Sequence, residues 1–255
     1  MDEVSSQGYA WGYIGSCIPF IVCLALVLGA DKIGLSMESA MAISFAIVAV
    51  WWFSMTLPLL KTYKQRHYVE RKPHAVRDSF ARIGKTLVNA RKEKKIFLFL
   101  IAFFFYIDGV YTIIDMATAY GSALGLDSTG LLLALLVTQF VAFPSAIIFG
   151  KLAKSFKTEK LILVCISAYL FIAIFAIFLA TQLQFWILAV LVGMFQGGVQ
   201  ALSRSYFAKI IPSEQAGEYF GLMDICGKGA AFLGTTVVGV VTQVTGSMSK
   251  GVPTS

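Results

Sequence analysis

The chain has 255 residues, of which 58% are hydrophobic and only 14% charged, and its mean hydropathy is +0.77. That balance excludes an ordinary soluble domain and requires a chain whose main solvent is lipid. The formal charge is +7, yet twelve of the 21 lysines and arginines crowd between Lys61 and Lys95, so the excess is topological and implies no nucleic-acid partner.

A bilayer core takes roughly 20 helical residues, so each long uncharged run is a candidate span. Val4 to Ala30 is the first. It is preceded by Asp2 and Glu3 rather than by a basic stretch, and so reads as a retained span and not a cleaved signal. Ser39 to Leu60 predicts the second. In the basic loop that follows, Val76, Phe80, Ile83 and Leu87 recur at helical spacing while Arg77, Arg82, Lys85 and Arg91 take other faces. This pattern fits an amphipathic helix on the membrane surface, with a solvated basic linker as the alternative. The two histidines, His67 and His74, also fall in this loop, which leaves no histidine at membrane depth for a metal site or a proton relay.

Ile96 to Tyr120 predicts the third span, interrupted only by Asp108 and Asp115, and Ser128 to Gly150 the fourth. Leu161 to Ser203 is uncharged, too long for one crossing, and breaks naturally at Thr181-Gln182-Leu183-Gln184 into spans five and six. Tyr219 to Thr245 completes seven, with Asp224 and Lys228 in its first turns. The expected fold is therefore an all-α polytopic membrane protein. Retaining the cations of 61–95 in the cytoplasm puts Lys151, Lys154, Lys157, Lys160, Arg204 and Lys209 on the same side, and makes the N-terminus cytoplasmic in the cell membrane.

Polar residues at membrane depth are costly and mark the functional candidates. Asp108, Tyr111, Thr112 and Asp115 share one helical face, either as the wall of a substrate or proton pathway or as a carboxylate held by a neighbouring helix. Gln196, Gln200 and Ser203 share another, as cavity lining or interhelical glue, beside a GxxxG at Gly193 and Gly197 that allows close helix approach. Asp224 and Lys228, one turn apart, read as an intrahelical pair or, with Arg204, as a gate. Cys17, Cys23, Cys165 and Cys226 lie in apolar segments without disulfide or metal spacing. The nearest phosphate-loop match, Gly84-Lys85-Thr86, has Ser79 in place of the first glycine. No enzymatic motif, cofactor or metal is thus expected, and the partners implied are the lipid bilayer and a small-molecule solute.

Several stretches carry a family resemblance. Gln139-Phe140-Val141-Ala142-Phe143-Pro144 followed by Phe149-Gly150-Lys151-Leu152-Ala153 resembles the helix-eight region of the vacuole-effluxer-like branch of the major facilitator superfamily. Ser5 to Tyr13 resembles entry into helix five, Asp108 to Ile113 helix seven, Gly193 to Ser205 helix ten, and Glu218 to Lys228 helix eleven. The resemblance implies alternating access between two six-helix halves, and amino acids or similar solutes as cargo. It assigns 1–60 to the last two helices of the N-terminal half, 61–95 to the basic central loop and 96–255 to an incomplete C-terminal half. On that correspondence the chain is a fragment resembling helices five to eleven, inactive unless the missing helices are supplied by a complementary fragment. It departs from the superfamily loop motif by placing Lys154 at the acidic position and Lys157 at the later glycine. Two other readings are a seven-helix retinal-type receptor or pump, prompted by Lys228 in the seventh span, and a non-transporting membrane assembly subunit.

Overall fold

The computed structural model describes residues 1–64 and 75–245, with side chains defined at 1–64 and 79–244. His67 and His74 therefore lie outside the described residues, as do the side chains of Val76 and Arg77. The described chain runs through α1 (Asp2–Gly29), a 3-10 turn (Ala30–Ile33), α2 (Met37–Thr62), α3 (Ala75–Lys92), α4 (Lys94–Ala123), α5 (Ser128–Leu152), α6 (Thr158–Ile177), α7 (Gln182–Ile210), a short 3-10 turn (Ser213–Gln215) and α8 (Ala216–Thr245). Seven of these elements are long and apolar enough to cross a membrane, and each overlaps one of the seven apolar runs read from the sequence. The remaining long helix, α3, lies within the basic loop.

Side-chain caps set where the spans begin. Ser36 accepts from the Ser39 backbone N–H at 3.2 Å to open α2, and Asp127 accepts from that of Gly130 at 2.6 Å to open α5. Gly125, at φ 74°, makes the left-handed turn between α4 and α5. The polar break at 181–184 is a capping box: Thr181 accepts from the Gln184 N–H, and the Gln184 side chain accepts from that of Thr181. The same four residues that interrupt the hydropathy thus nucleate α7.

Helix α7 is the centre of the bundle, packed against α5, α6, α1 and α4. Hydrophobic exclusion does not drive helices together in lipid, so close van der Waals approach and interhelical hydrogen bonds must do so. The GxxxG provides the approach. A Cβ on Gly197 would stand 2.9 Å from both the Ala142 carbonyl oxygen and the Ala146 Cβ, and one on Gly193 2.7 Å from the Thr138 carbonyl oxygen. Across this seam Thr138 donates to the Ala189 carbonyl at 3.1 Å and Ser145 to that of Met194. Each such bond contributes about 0.6 kcal/mol on average. A second close pairing joins α4 to α8, whose Gly227 and Gly234 face α4 side chains. Helix α2 packs on α1 with Ala40 as its one buried residue.

The N-terminal turn of α1 is tied to α6, α7 and the α5–α6 connection. Asp2 accepts from Lys209 at 2.5 Å, from Thr158 at 3.3 Å and from Ser205, while Glu3 pairs with Lys154 at 2.9 Å. Lys154, in the connection between α5 and α6, thus bridges that loop to the first turn of α1. Helix α3 docks on the bundle through Thr86, which donates to Glu218 of α8 at 2.8 Å. Thr86 and Ala90 are buried, whereas Phe80 is 73% exposed and Val88 53%.

Candidate functional site

A cavity of ≈ 950 Å³ opens between α1, α5, α7 and α8. Its polar wall comes from Tyr9 and Tyr13 of α1, Gln139 of α5, and Gln200 and Arg204 of α7, with Phe220 of α8 closing one side. The residues follow from helix periodicity: Tyr9 and Tyr13 are one turn apart on α1, as are Gln200 and Arg204 on α7, so two polar stripes face each other. Gly8 and Gly12 line the cavity between the tyrosines and leave room beside them.

Tyr13 donates to Gln200 Oε1 at 3.4 Å and sits beside Gln196. Arg204 has three neighbours. Its Nη1 is 3.5 Å from Asp224 Oδ1, its guanidinium carbon lies 4.6 Å over the Phe220 ring, and Tyr9 stands beside it. Both members of the ion pair remain partly open, with side-chain exposures of 43% and 56%. A planar, always-charged donor fork held this way can accept a carboxylate without being rebuilt.

Behind this wall lies a second polar layer. Tyr106 of α4 and Ser203 of α7 share a hydrogen bond of 2.6 Å, and Ser203 passes one on to the Val199 carbonyl at 2.5 Å. Gln196 Oε1 and Tyr169 Oη are buried with no hydrogen-bond partner among the described residues. Gln139 and Gln196 also line a small ≈ 50 Å³ void between α4, α5 and α7, so Gln139 touches both spaces. Buried amides and phenols left open in this way are groups that a polar ligand or water satisfies.

The residues singled out in the sequence separate into distinct places. Gln200 and Arg204 line the cavity, Asp224 reaches it through Arg204, and Gln196 is one layer deeper. Asp224 pairs with Arg204 across the helix interface and not with Lys228 on its own helix. Lys228 is exposed and lies off the cavity wall, away from where a retinal-binding lysine would have to be. The Asp108 stripe is also divided. Asp108 and Thr112 turn onto Gly234 of α8, Tyr111 packs at Gly227, and Asp115 is exposed. Tyr9, Tyr13, Tyr106 and Tyr169 were not singled out as site residues, because tyrosine carries no hydropathy penalty large enough to stand out of an apolar run. Tyr9 and Tyr13 at i and i+4 were the one available signal.

Seven helices long and apolar enough to cross a membrane, with a cavity open between four of them, define the class of a polytopic membrane protein. The chain belongs to the family of Atg22-like vacuole effluxers, whose model matches residues 1–254. Over 254 residues it is 48% identical to an uncharacterized MFS-type transporter, YxiO, from Bacillus subtilis, a match covering 99% of this chain and 59% of that protein. It is 24% identical to autophagy-related protein 22-2 of Aspergillus clavatus, covering 94% of this chain and 43% of the relative, and 23% identical to autophagy-related protein 22-1 of Aspergillus niger, covering 94% and 42%. The chain thus spans well under two thirds of these relatives' length. No solved structure gives a significant match.

Proposed function

We propose that this chain carries one wall of a secondary transporter that moves small zwitterionic solutes, amino acids foremost, by alternating access. The observation that carries the reading is the Arg204–Asp224 pair, 3.5 Å apart and half-exposed beside the Tyr9–Tyr13–Gln200 wall. A zwitterion matches both members at once, its carboxylate on Arg204 and its ammonium on Asp224. Binding then replaces one ion pair by two without leaving an unpaired charge at the membrane edge. Tyr13 and Gln200 supply neutral donors and acceptors for orientation, and Phe220 holds the guanidinium plane.

In this reading α1 and α2 belong to one half of the transporter and α4 to α8 to the other, with 61–95 as the cytoplasmic connection. The N-terminus of α1 then lies on the cytoplasmic face of the cell membrane. Its Asp2 and Glu3 contacts to Lys209 and Lys154 tie the two halves together there. The opposite wall of the cavity comes from helices beyond these seven, on a longer chain or a complementary fragment.

The test is uptake of a radiolabelled amino-acid mixture into proteoliposomes. One sample holds the 255-residue chain alone, and the other adds a second polypeptide carrying the part of the Bacillus relative outside the match. Uptake is expected in the second sample and its loss with Asp224→Asn, which keeps the side chain's shape and removes the charge. Absence of uptake in both, or full uptake by Asp224→Asn, overturns the reading.

A further inference from the structure

Between α3 and α4 the chain turns a corner that the solute cavity does not use. Glu93, at φ −89° and ψ 90°, breaks the helix there, and its side chain caps nothing. A cavity of ≈ 390 Å³ sits in this corner, bounded by the end of α3, the start of α4, the α7–α8 connection and the first turn of α8. Its polar lining is Asn89 and Lys92, three residues apart on one face of α3, together with Glu93 and Tyr219. Tyr219 is only 2% exposed, yet its hydroxyl makes no hydrogen bond among the described residues. Lys92 and Glu93 are both exposed, and neither makes an ion pair among the described residues.

Two opposite charges that line one cavity without pairing with each other suit a ligand that carries both. Lys92, Asn89 and the Tyr219 hydroxyl can donate to a phosphate, and Glu93 can accept from an ammonium. Of the neighbouring charges, Glu218 accepts from Thr86, and Lys95 Nζ lies over the Tyr206 ring at 5.7 Å. The lining thus presents one charge of each sign, which favours a zwitterion over an anion. The rest of the wall is apolar, with Ile96, Ile211 and Pro212. A small soluble zwitterion gains little from that wall, whereas a phospholipid lays its glycerol and first methylenes against it. The location agrees: α3 is a basic helix with an exposed apolar strip and α4 opens a span, so the corner between them falls in the headgroup layer.

We propose that this corner binds a phospholipid whose headgroup carries a phosphate and a primary ammonium, as phosphatidylethanolamine does, with the phosphate on Lys92 and the ammonium on Glu93. The site is separate from the solute cavity and does not rest on the transporter reading. The experiment adds lipids of identical acyl chains to the purified 255-residue chain in detergent, with thermal unfolding as the readout. Phosphatidylethanolamine should raise Tm by about 3 °C or more. Phosphatidylcholine, whose ammonium has no N–H to donate, and phosphatidylglycerol, which has no ammonium, should each give less than half of that increment. Lys92→Gln should reduce the ethanolamine increment. Glu93→Gln should erase the preference for ethanolamine over choline, a change that a merely structural role for Glu93 would not produce. Lys157→Gln, which removes an exposed cation from the α5–α6 connection, should keep both the increment and the preference. Equal increments from the three lipids, a larger one from phosphatidylglycerol, or an ethanolamine preference that survives both Lys92→Gln and Glu93→Gln overturns the proposal. So does an equal increment from soluble phosphoethanolamine at the same concentration, which would make the occupant a small solute and not a lipid.

Discussion

Arg204 on α7 reaches Asp224 on α8 at 3.5 Å, although Asp224 has Lys228 one turn away on its own helix. The choice follows from where the side chains end. Lys228 projects outward, while Arg204 is fixed over the Phe220 ring and faces the cavity from the neighbouring helix. Both members are partly open, so the Coulombic gain is screened and the pair couples by about 0.2–1 kcal/mol. A double-mutant cycle in detergent, using Arg204→Ala and Asp224→Ala, should return a coupling in that range. The corresponding cycle for Asp224 and Lys228 should be additive. Coupling to Lys228 larger than that to Arg204 would reverse the assignment.

The α5–α7 seam makes a steric prediction. A methyl on Gly197 meets the Ala142 carbonyl oxygen and the Ala146 Cβ at 2.9 Å, and backbone cannot yield as a flexible side chain would. Gly197→Ala should therefore cost about 1–3 kcal/mol through forced helix separation. Gly239→Ala on α8 meets nothing within 4 Å and should be neutral or stabilising by up to about 1 kcal/mol, since alanine is the better helix former. Unfolding of both variants in the same detergent checks the contrast. Equal effects would mean that the two helices are not in contact as described.

At the other end of α1, Asp2 gathers Lys209, Ser205 and Thr158, and its side chain is only 15% exposed. Asp2→Ala removes the acceptor common to all three and should cost about 1–3 kcal/mol. Loss should appear first as faster hydrogen exchange in the opening turns of α1, with the α5–α7 seam still protected. Unchanged exchange in α1 would show that the Asp2 contacts do not hold that end.

The spans were legible because lipid imposes one demand, length without charge, that a linear sequence displays directly. Even the split of Leu161 to Ser203 was readable, since Thr181 and Gln184 are both a hydropathy break and a helix cap. The GxxxG on α7 was legible as a close-approach surface, although nothing in the sequence named α5 as its partner. The site was legible only in part. Helical periodicity places Asp108, Thr112 and Asp115 on one face, but the rotation of α4 in the bundle decides which of them meets Gly234 and which stays exposed. Intrahelical spacing likewise favoured Lys228 for Asp224, because a pattern within one helix cannot show Arg204 arriving from another. A small-residue stripe at Gly227, Ala230, Ala231 and Gly234 marks α8 as a packing face in retrospect.

The last prediction concerns α3, where docking and membrane contact use adjacent faces of one helix. Thr86 and Ala90 are buried against the bundle, and Thr86 donates to Glu218 of α8, which fixes the rotation of the helix about its axis. That rotation leaves Phe80 at 73% exposure and Leu87 at 39%, one apolar strip beside the docked face, with Lys85 on the other side. A basic helix with an exposed apolar strip lies in the headgroup region, with the strip toward the acyl chains. Phe80→Trp in a background with the four native tryptophans replaced should therefore fluoresce in lipid vesicles and lose most of its emission when the acyl chains are brominated. Thr86→Val should weaken the docking by about 1 kcal/mol without displacing the strip from the bilayer, because lipid contact does not depend on Glu218. Emission at position 80 that is unaffected by brominated lipid, and quenched instead by soluble iodide, would place this face in water and make α3 a solvated linker.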